Sequence, residues 1–163
     1  MRLQTKPERW MCLPASFAMA LDIPLADVLH DLGHDGSQIV WPQLPEPMCR
    51  RGFHPQELID VCLARGYAAT RIELAPAMTT VTGGPELHLF PDERAWTRFI
   101  QAIQNSLGVI EGVGLRSGHA VAYDHGHIFD PDGVDYAYAR EACEQRGLFT
   151  QHLWRIDKIG GCL

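Results

Sequence analysis

Gly118-His119-Ala120-Val121-Ala122-Tyr123-Asp124-His125-Gly126-His127-Ile128-Phe129-Asp130-Pro131 reads as two short apolar runs around a turn. With Asp124-His125-Gly126 as the turn, Ala120 to Tyr123 and His127 to Phe129 pair antiparallel as a hairpin. His119 and Asp130 then fall opposite or nearly opposite each other. Cross-strand neighbours hold their Cβ atoms about 5 Å apart, close enough for a carboxylate to orient an imidazole.

Upstream, Cys12 follows Trp10-Met11 and opens the alanine-rich run Leu13-Pro14-Ala15-Ser16-Phe17-Ala18-Met19-Ala20-Leu21. A thiol at a helix N-terminus meets the positive end of the macrodipole and unpaired backbone amides, which favour the reactive thiolate. Taken singly, each residue has a plainer use. A cysteine in such a helix packs the core, and a strand histidine is satisfied locally. Asp130-Pro131-Asp132-Gly133 is an ordinary turn sequence whose carboxylate need touch only water. The order Cys, His, Asp, with a hairpin that joins the last two, is what points to nucleophilic chemistry.

The rest of the chain supplies a scaffold. Cys12 to Leu21 is predicted as the first helix and Pro24 to Leu32 as the second, with Leu25, Val28, Leu29 and Leu32 at helical spacing and Gly33 as its stop. His34 to Met48 holds Pro42, Pro45 and Pro47 and reads as a loop rimming a cleft. Pro55 to Arg65 is a helix with Leu58, Ile59, Cys62 and Leu63 inward, and Tyr67 to Leu74 a strand. Thr79 to Pro91 carries Gly83-Gly84-Pro85 and a short apolar patch. Asp92 to Leu107 reads as a helix bearing Ala95, Phe99, Ile100 and Ile103, and Val109 to Leu115 as a strand. After the hairpin come a short helix, Tyr138 to Arg146, and a strand, Phe149 to Ile159. Helices first and paired strands later predict an α+β fold with the cleft between the two halves.

These motifs resemble the papain-like cysteine peptidases, and among them a compact bacterial branch similar to the bacteriocin-processing peptidases. The resemblance rests on Cys12-Leu13-Pro14-Ala15-Ser16 with Met19 and Leu21, on Gly118-His119-Ala120-Val121, and on Ile128-Phe129-Asp130-Pro131. Gly52-Phe53-His54-Pro55-Gln56-Glu57-Leu58 and then Arg65-Gly66-Tyr67 resemble the second helix and strand of that branch, so the pieces span most of the chain. The resemblance implies one papain-like domain over residues 1–163, its nucleophile helix packed on a C-terminal antiparallel sheet. It implies a Cys12, His119, Asp130 triad acting through a thioester on a protein or peptide substrate, without a cofactor. The family places a glutamine about six residues before the cysteine as an oxyanion-hole donor. Lys6 stands at that position here, and Gln4 is the nearest glutamine, able to serve if two residues, one of them Pro7, loop out. Trp10 N–H and Lys6 are the next nearest donors.

Composition narrows the field. At 163 residues and 46% hydrophobic, the chain can bury one core and is too short for two. A net charge of −6 argues against nucleic-acid or anionic-membrane partners recognised by charge. No apolar run approaches the about 20 residues that span a bilayer, and Met1 to Glu8 lacks the apolar core of a signal peptide. Cytoplasmic residence where the chain is made is therefore expected. Cysteine is present five times, at Cys12, Cys49, Cys62, Cys143 and Cys162, with no Cys-x-x-Cys pair, which disfavours a disulfide framework or zinc knuckle.

Three alternatives carry different chemistry. Glutamine deamidation and isopeptide cleavage use the same triad as peptide cleavage. A metal site could draw on His119, His125 and His127 with Asp124 or Asp130, although a turn at Asp124-His125-Gly126 would break the shared face of His125 and His127. A binding module could persist after the oxyanion hole degenerates, which the displaced glutamine would favour.

Overall fold

The computed structural model describes residues 1–74, 93–113 and 118–160. Helix α1 (Cys12–Leu21) is followed by α2 (Leu25–Leu32), α3 (Pro55–Ala64), β1 (Tyr67–Glu73), α4 (Glu93–Asn105), β2 (Leu107–Val113) and β3 (Gly118–Asp124). The chain continues through β4 (His127–Asp130), β5 (Val134–Ala137), α5 (Arg140–Gln145) and β6 (Phe149–Lys158). The strands form one six-stranded sheet in the order β1-β6-β2-β3-β4-β5, antiparallel at every junction. This is an α+β arrangement, as the sequence predicts. The predicted division into a helical half and a later sheet needs correction: β1 leaves the helical region early to pair with β6, and α4 precedes β2.

Both faces of the sheet are covered, and the central strands explain how. On β2, Val109 joins a cluster with Phe17, Val28 and Leu58 of α1 to α3, while Ile110 joins one with Phe99 and Ile103 of α4. The two-residue period of a strand sends neighbours to opposite faces, so a strand apolar at both must be buried on both sides. Helix α1 lies in the first layer and is buried from Leu13 to Leu21, as expected of a helix apolar all round. Pro14 is tolerated because its missing N–H is among those a helix leaves unpaired in its first turn. Asp22, in the left-handed region at φ 54°, ends the helix, and its N–H bonds back to the Ala18 and Met19 carbonyls.

The hairpin forms, with a tighter turn than the sequence suggests. Asp124 pairs with His127, so the loop is His125-Gly126 alone, with φ 47° and 88°. Two positive φ values in a two-residue loop match the twist of the flanking strands. The loop N–H groups donate to Ser106 and Ile103 carbonyls at 2.9 Å each, which ties the hairpin to the end of α4.

Other boundaries move. Leu107 opens β2 instead of closing the preceding helix, the helix predicted from Tyr138 to Arg146 is α5 at Arg140–Gln145, and Val134–Ala137 forms an edge strand with no predicted counterpart. The stretch Thr79 to Pro91, the predicted strand end at Gly114 and Leu115, and Cys162 lie outside the described residues. No single helix among the described residues is long and apolar enough to cross a membrane.

Candidate active site

Packing of α1 against β3 brings Cys12 to His119. Cys12, half-buried at the first position of the helix, lines the same cavity wall as the His119 imidazole, and its thiol is among the groups that raise the pKa of that ring. His119 Nε2 lies 3.1 and 3.2 Å from the two oxygens of Asp130, which leaves Nδ1 for the thiol. The pairing of β3 with β4 runs from Asp124 opposite His127 to Ala122 opposite Phe129. Beyond it, His119 and Asp130 meet through their side chains near the ends of the two strands.

The surroundings make the pair an ionic one. Burial opposes charge on His119, but the hydrogen bond and negative charge of Asp130, with the nearby Cys12 thiol, outweigh it, lifting its pKa to about 9. Asp130 is only 5% exposed. Burial pushes its pKa up, yet the hydrogen bond and charge of His119, the Asp132 N–H and the Lys6 charge bring it below the ordinary carboxylate value. The turn predicted for Asp130-Pro131-Asp132-Gly133 is present, with Gly133 N–H bonded to the Asp130 carbonyl at 2.9 Å and φ 93°. The carboxylate nevertheless faces the imidazole and accepts from Asp132 N–H at 2.9 Å. The plain reading of a turn open only to water therefore fails at this residue.

Gln4 is placed elsewhere. Its amide donates to the Ile23 carbonyl at 2.7 Å and accepts from Leu25 N–H at 2.9 Å, beyond the C-terminal end of α1. A helix of 10 residues is about 15 Å long, so Gln4 and Cys12 mark opposite ends of it. The expected oxyanion role of Gln4 is corrected accordingly: the chain does not loop out to deliver it, because its amide joins α1 to α2. The fallback donors are engaged as well. Trp10 Nε1 donates to the Asp35 carbonyl at 2.9 Å, and Lys6 Nζ contacts Asp132 at 2.5 Å. Cys12's own N–H, at the head of the helix, has no helical carbonyl to bond and remains as a donor at the site.

Cys12 and His119 open onto a cavity of about 270 Å³, walled by Trp10, Met48 and Phe53. Glu111, which sequence reasoning passed over, lines it too. The available signal was a single acid inside the otherwise apolar strand Leu107-Gly108-Val109-Ile110-Glu111-Gly112-Val113. Gly112, opposite His119, is required by packing: a Cβ there would stand 2.3 Å from the Phe149 carbonyl oxygen of β6.

The metal alternative loses its histidines. His125 pairs with Asp124 at 2.6 Å and His127 with Asp135 at 2.8 Å, away from His119. Donor atoms of His119, Asp130 and Asp132 do lie within 4.8 Å of one another. The Lys6 ammonium already holds Asp132 there. Cys62 is buried core as predicted, its thiol pushed up to about 12 by burial, and Cys49 and Cys143 are also buried. No family model and no curated protein matches the chain.

Proposed function

We propose that the chain is a cysteine-dependent amide hydrolase of papain-like design, most simply a peptidase. The observation that carries this reading is the buried His119–Asp130 pair facing a cysteine at a helix N-terminus inside a cavity. In the reaction, His119 takes the thiol proton and the thiolate attacks the amide carbonyl carbon. Asp130 accepts from Nε2–H and fixes the imidazole orientation. The Cys12 N–H donates to the oxyanion. His119 returns its proton to the leaving amine as the C–N bond breaks, and water, deprotonated by His119, cleaves the thioester. Cytoplasmic action on a protein or peptide belongs to the same reading.

Deamidation and isopeptide cleavage share every step to the thioester. The binding-module reading draws on one observation, the engagement of Gln4 at the far end of α1, because removing one oxyanion donor typically costs about 10²- to 10³-fold in turnover. Intact-mass profiling of a lysate proteome incubated with the protein or with Cys12→Ala separates these cases. New peptide termini with the native chain alone are expected. One-dalton gains would reassign it as a deamidase, and identical proteomes would leave the binding module.

A further inference from the structure

The hydrolase reading leaves Glu111 without a task, and its setting is specific. It lies on β2 opposite Ala120, on the face that packs against α1, and lines the same cavity as the thiol. Its side chain is 19% exposed. Oε1 accepts from the Trp154 indole N–H at 2.5 Å, and Trp154 is itself fixed by Arg71 over its ring at 5.6 Å and His152 edge-on at 5.8 Å.

Behind the other oxygen stands His152, whose Nε2 is 3.6 Å from Oε2, just beyond a hydrogen bond, and has no partner although buried. Arg71 Nη2 lies 3.4 Å from His152 Nδ1. A guanidinium can only donate, so in this contact Nδ1 is the acceptor and Nε2 is the ring nitrogen that faces Glu111. Arg71 has its own anion, Glu73, at 2.7 Å. Glu111 thus accepts one hydrogen bond, from the neutral Trp154 indole, and its second oxygen has no donor within hydrogen-bond reach among the described residues. Among the described residues, the other charged groups on the cavity wall do not supply one: Arg51 is bonded to Glu57 at 2.6 Å, Arg9 is exposed, and His119 is bonded to Asp130. A half-buried carboxylate with open acceptor positions gains most from a charged donor.

Resting on the hydrolase reading, we propose that Glu111 is the specificity-determining residue of the cleft and that the substrate carries a lysine or arginine side chain beside the amide attacked by Cys12. The cavity, at about 270 Å³, has room for one long side chain. It lies just under the about 300–1,000 Å³ of sites that enclose whole small ligands.

The test uses the full chain and peptidyl acyloxymethyl ketones carrying lysine, norleucine or glutamate at either of the two residues before the electrophile. Each labels Cys12 by thioether formation with loss of the carboxylate. Iodoacetamide, too small to reach a subsite, reports on the thiol alone. The lysine probe should label wild type about 10- to 100-fold faster than the norleucine probe. Glu111→Gln should collapse that ratio, while Glu111→Asp should retain part of it. Equal lysine and norleucine rates, with iodoacetamide labelling Cys12 normally, would overturn the subsite and leave the nucleophile reading intact. A faster glutamate probe would overturn it in favour of Arg9 and Arg51. Failure of iodoacetamide and every ketone to label Cys12 would sink both readings together.

Discussion

Three histidines in the hairpin region each meet an aspartate, and the closest contacts are not at the cleft. His125 lies 2.6 Å from Asp124 and His127 2.8 Å from Asp135, whereas His119 is 3.1 Å from Asp130. Burial separates them. The side chains of His125 and His127 are 63% and 43% exposed, that of His119 15% and its partner 7%. Exposed pairs are screened by water and contribute about 0–1 kcal/mol. In the buried pair the low dielectric magnifies both the cost of an unpaired charge and the gain from pairing it. The 2.6 Å contact joins sequence neighbours at the turn and the 2.8 Å one links β4 to the edge strand β5, while the longer one joins β3 and β4 beside the head of α1.

That contrast breaks if the histidines prove interchangeable. His119→Ala should cost about 10³-fold or more in turnover, because general base and ion pair vanish together. His125→Ala and His127→Ala should leave turnover within twofold or so of wild type, since exposed substitutions of this kind are usually small in effect. The check is kcat/KM on one substrate at one pH. A loss at His127 comparable to that at His119 would mean that burial is the wrong discriminator.

Asp130 comes next in size. Asp130→Ala removes the acceptor at Nε2 and should cost about 10²-fold through loss of imidazole orientation. Asp130→Asn retains a carbonyl oxygen and should lose less, about tenfold, because asparagine fills this role beside cysteine nucleophiles. Equal losses for the two would show that the carboxylate charge, and not orientation, is what matters.

How much of this was legible in the sequence depends on whether local chemistry sets the position. Cys12 to Leu21 matched its predicted bounds, because an alanine-rich run between Met11 and Asp22 has both its composition and its ends in view. The hairpin was legible from His125-Gly126 between apolar runs, and it brings the strand ends bearing His119 and Asp130 within side-chain reach. Leu107 was misread because Phe99, Ile103 and Leu107 keep helical spacing. The chain leaves the helix at Ser106, whose hydroxyl bonds back to the Ala102 carbonyl at 2.6 Å. β5 gave no signal, being a four-residue edge strand mostly exposed to water, where nothing enforces alternation. Glu111 was passed over for a different reason: a lone acid in an apolar strand marks the position, but the strand's period does not say which face holds a cavity.

The buried pair should also write itself into stability. His119 binds its proton more tightly folded, at about 9, than unfolded, so its contribution is complete below the unfolded value near pH 6.5 and is lost as pH rises toward 9. Asp130, lowered in the fold, contributes above its unfolded value near pH 4 and loses that as pH falls through its folded value. Both contributions coexist between about pH 4 and 6.5. Denaturant unfolding of wild type against His119→Ala should give a stability difference that shrinks by about 3 kcal/mol from pH 6 to pH 10. A difference that stays level across that range would place the two charges in effective contact with water, as at the hairpin turn.

The smallest effect separates the two ends of α1. Gln4 lies 2.7 Å from the Ile23 carbonyl and 2.9 Å from Leu25 N–H, so its amide closes the corner between α1 and α2. Neither group has a substitute once the amide is removed, and each buried hydrogen bond contributes about 0.5–1.5 kcal/mol. Gln4→Ala should therefore lower unfolding free energy by about 1–2 kcal/mol while the iodoacetamide rate at Cys12 holds. Glu would keep the acceptor for Leu25 but set a carboxylate against the Ile23 carbonyl, so Gln4→Glu should be at least as destabilising as Gln4→Ala. The opposite pattern, unchanged stability with turnover reduced about 10²-fold, is what an oxyanion-hole glutamine would give. It would mean that the amide leaves Ile23 and reaches the cleft when substrate binds.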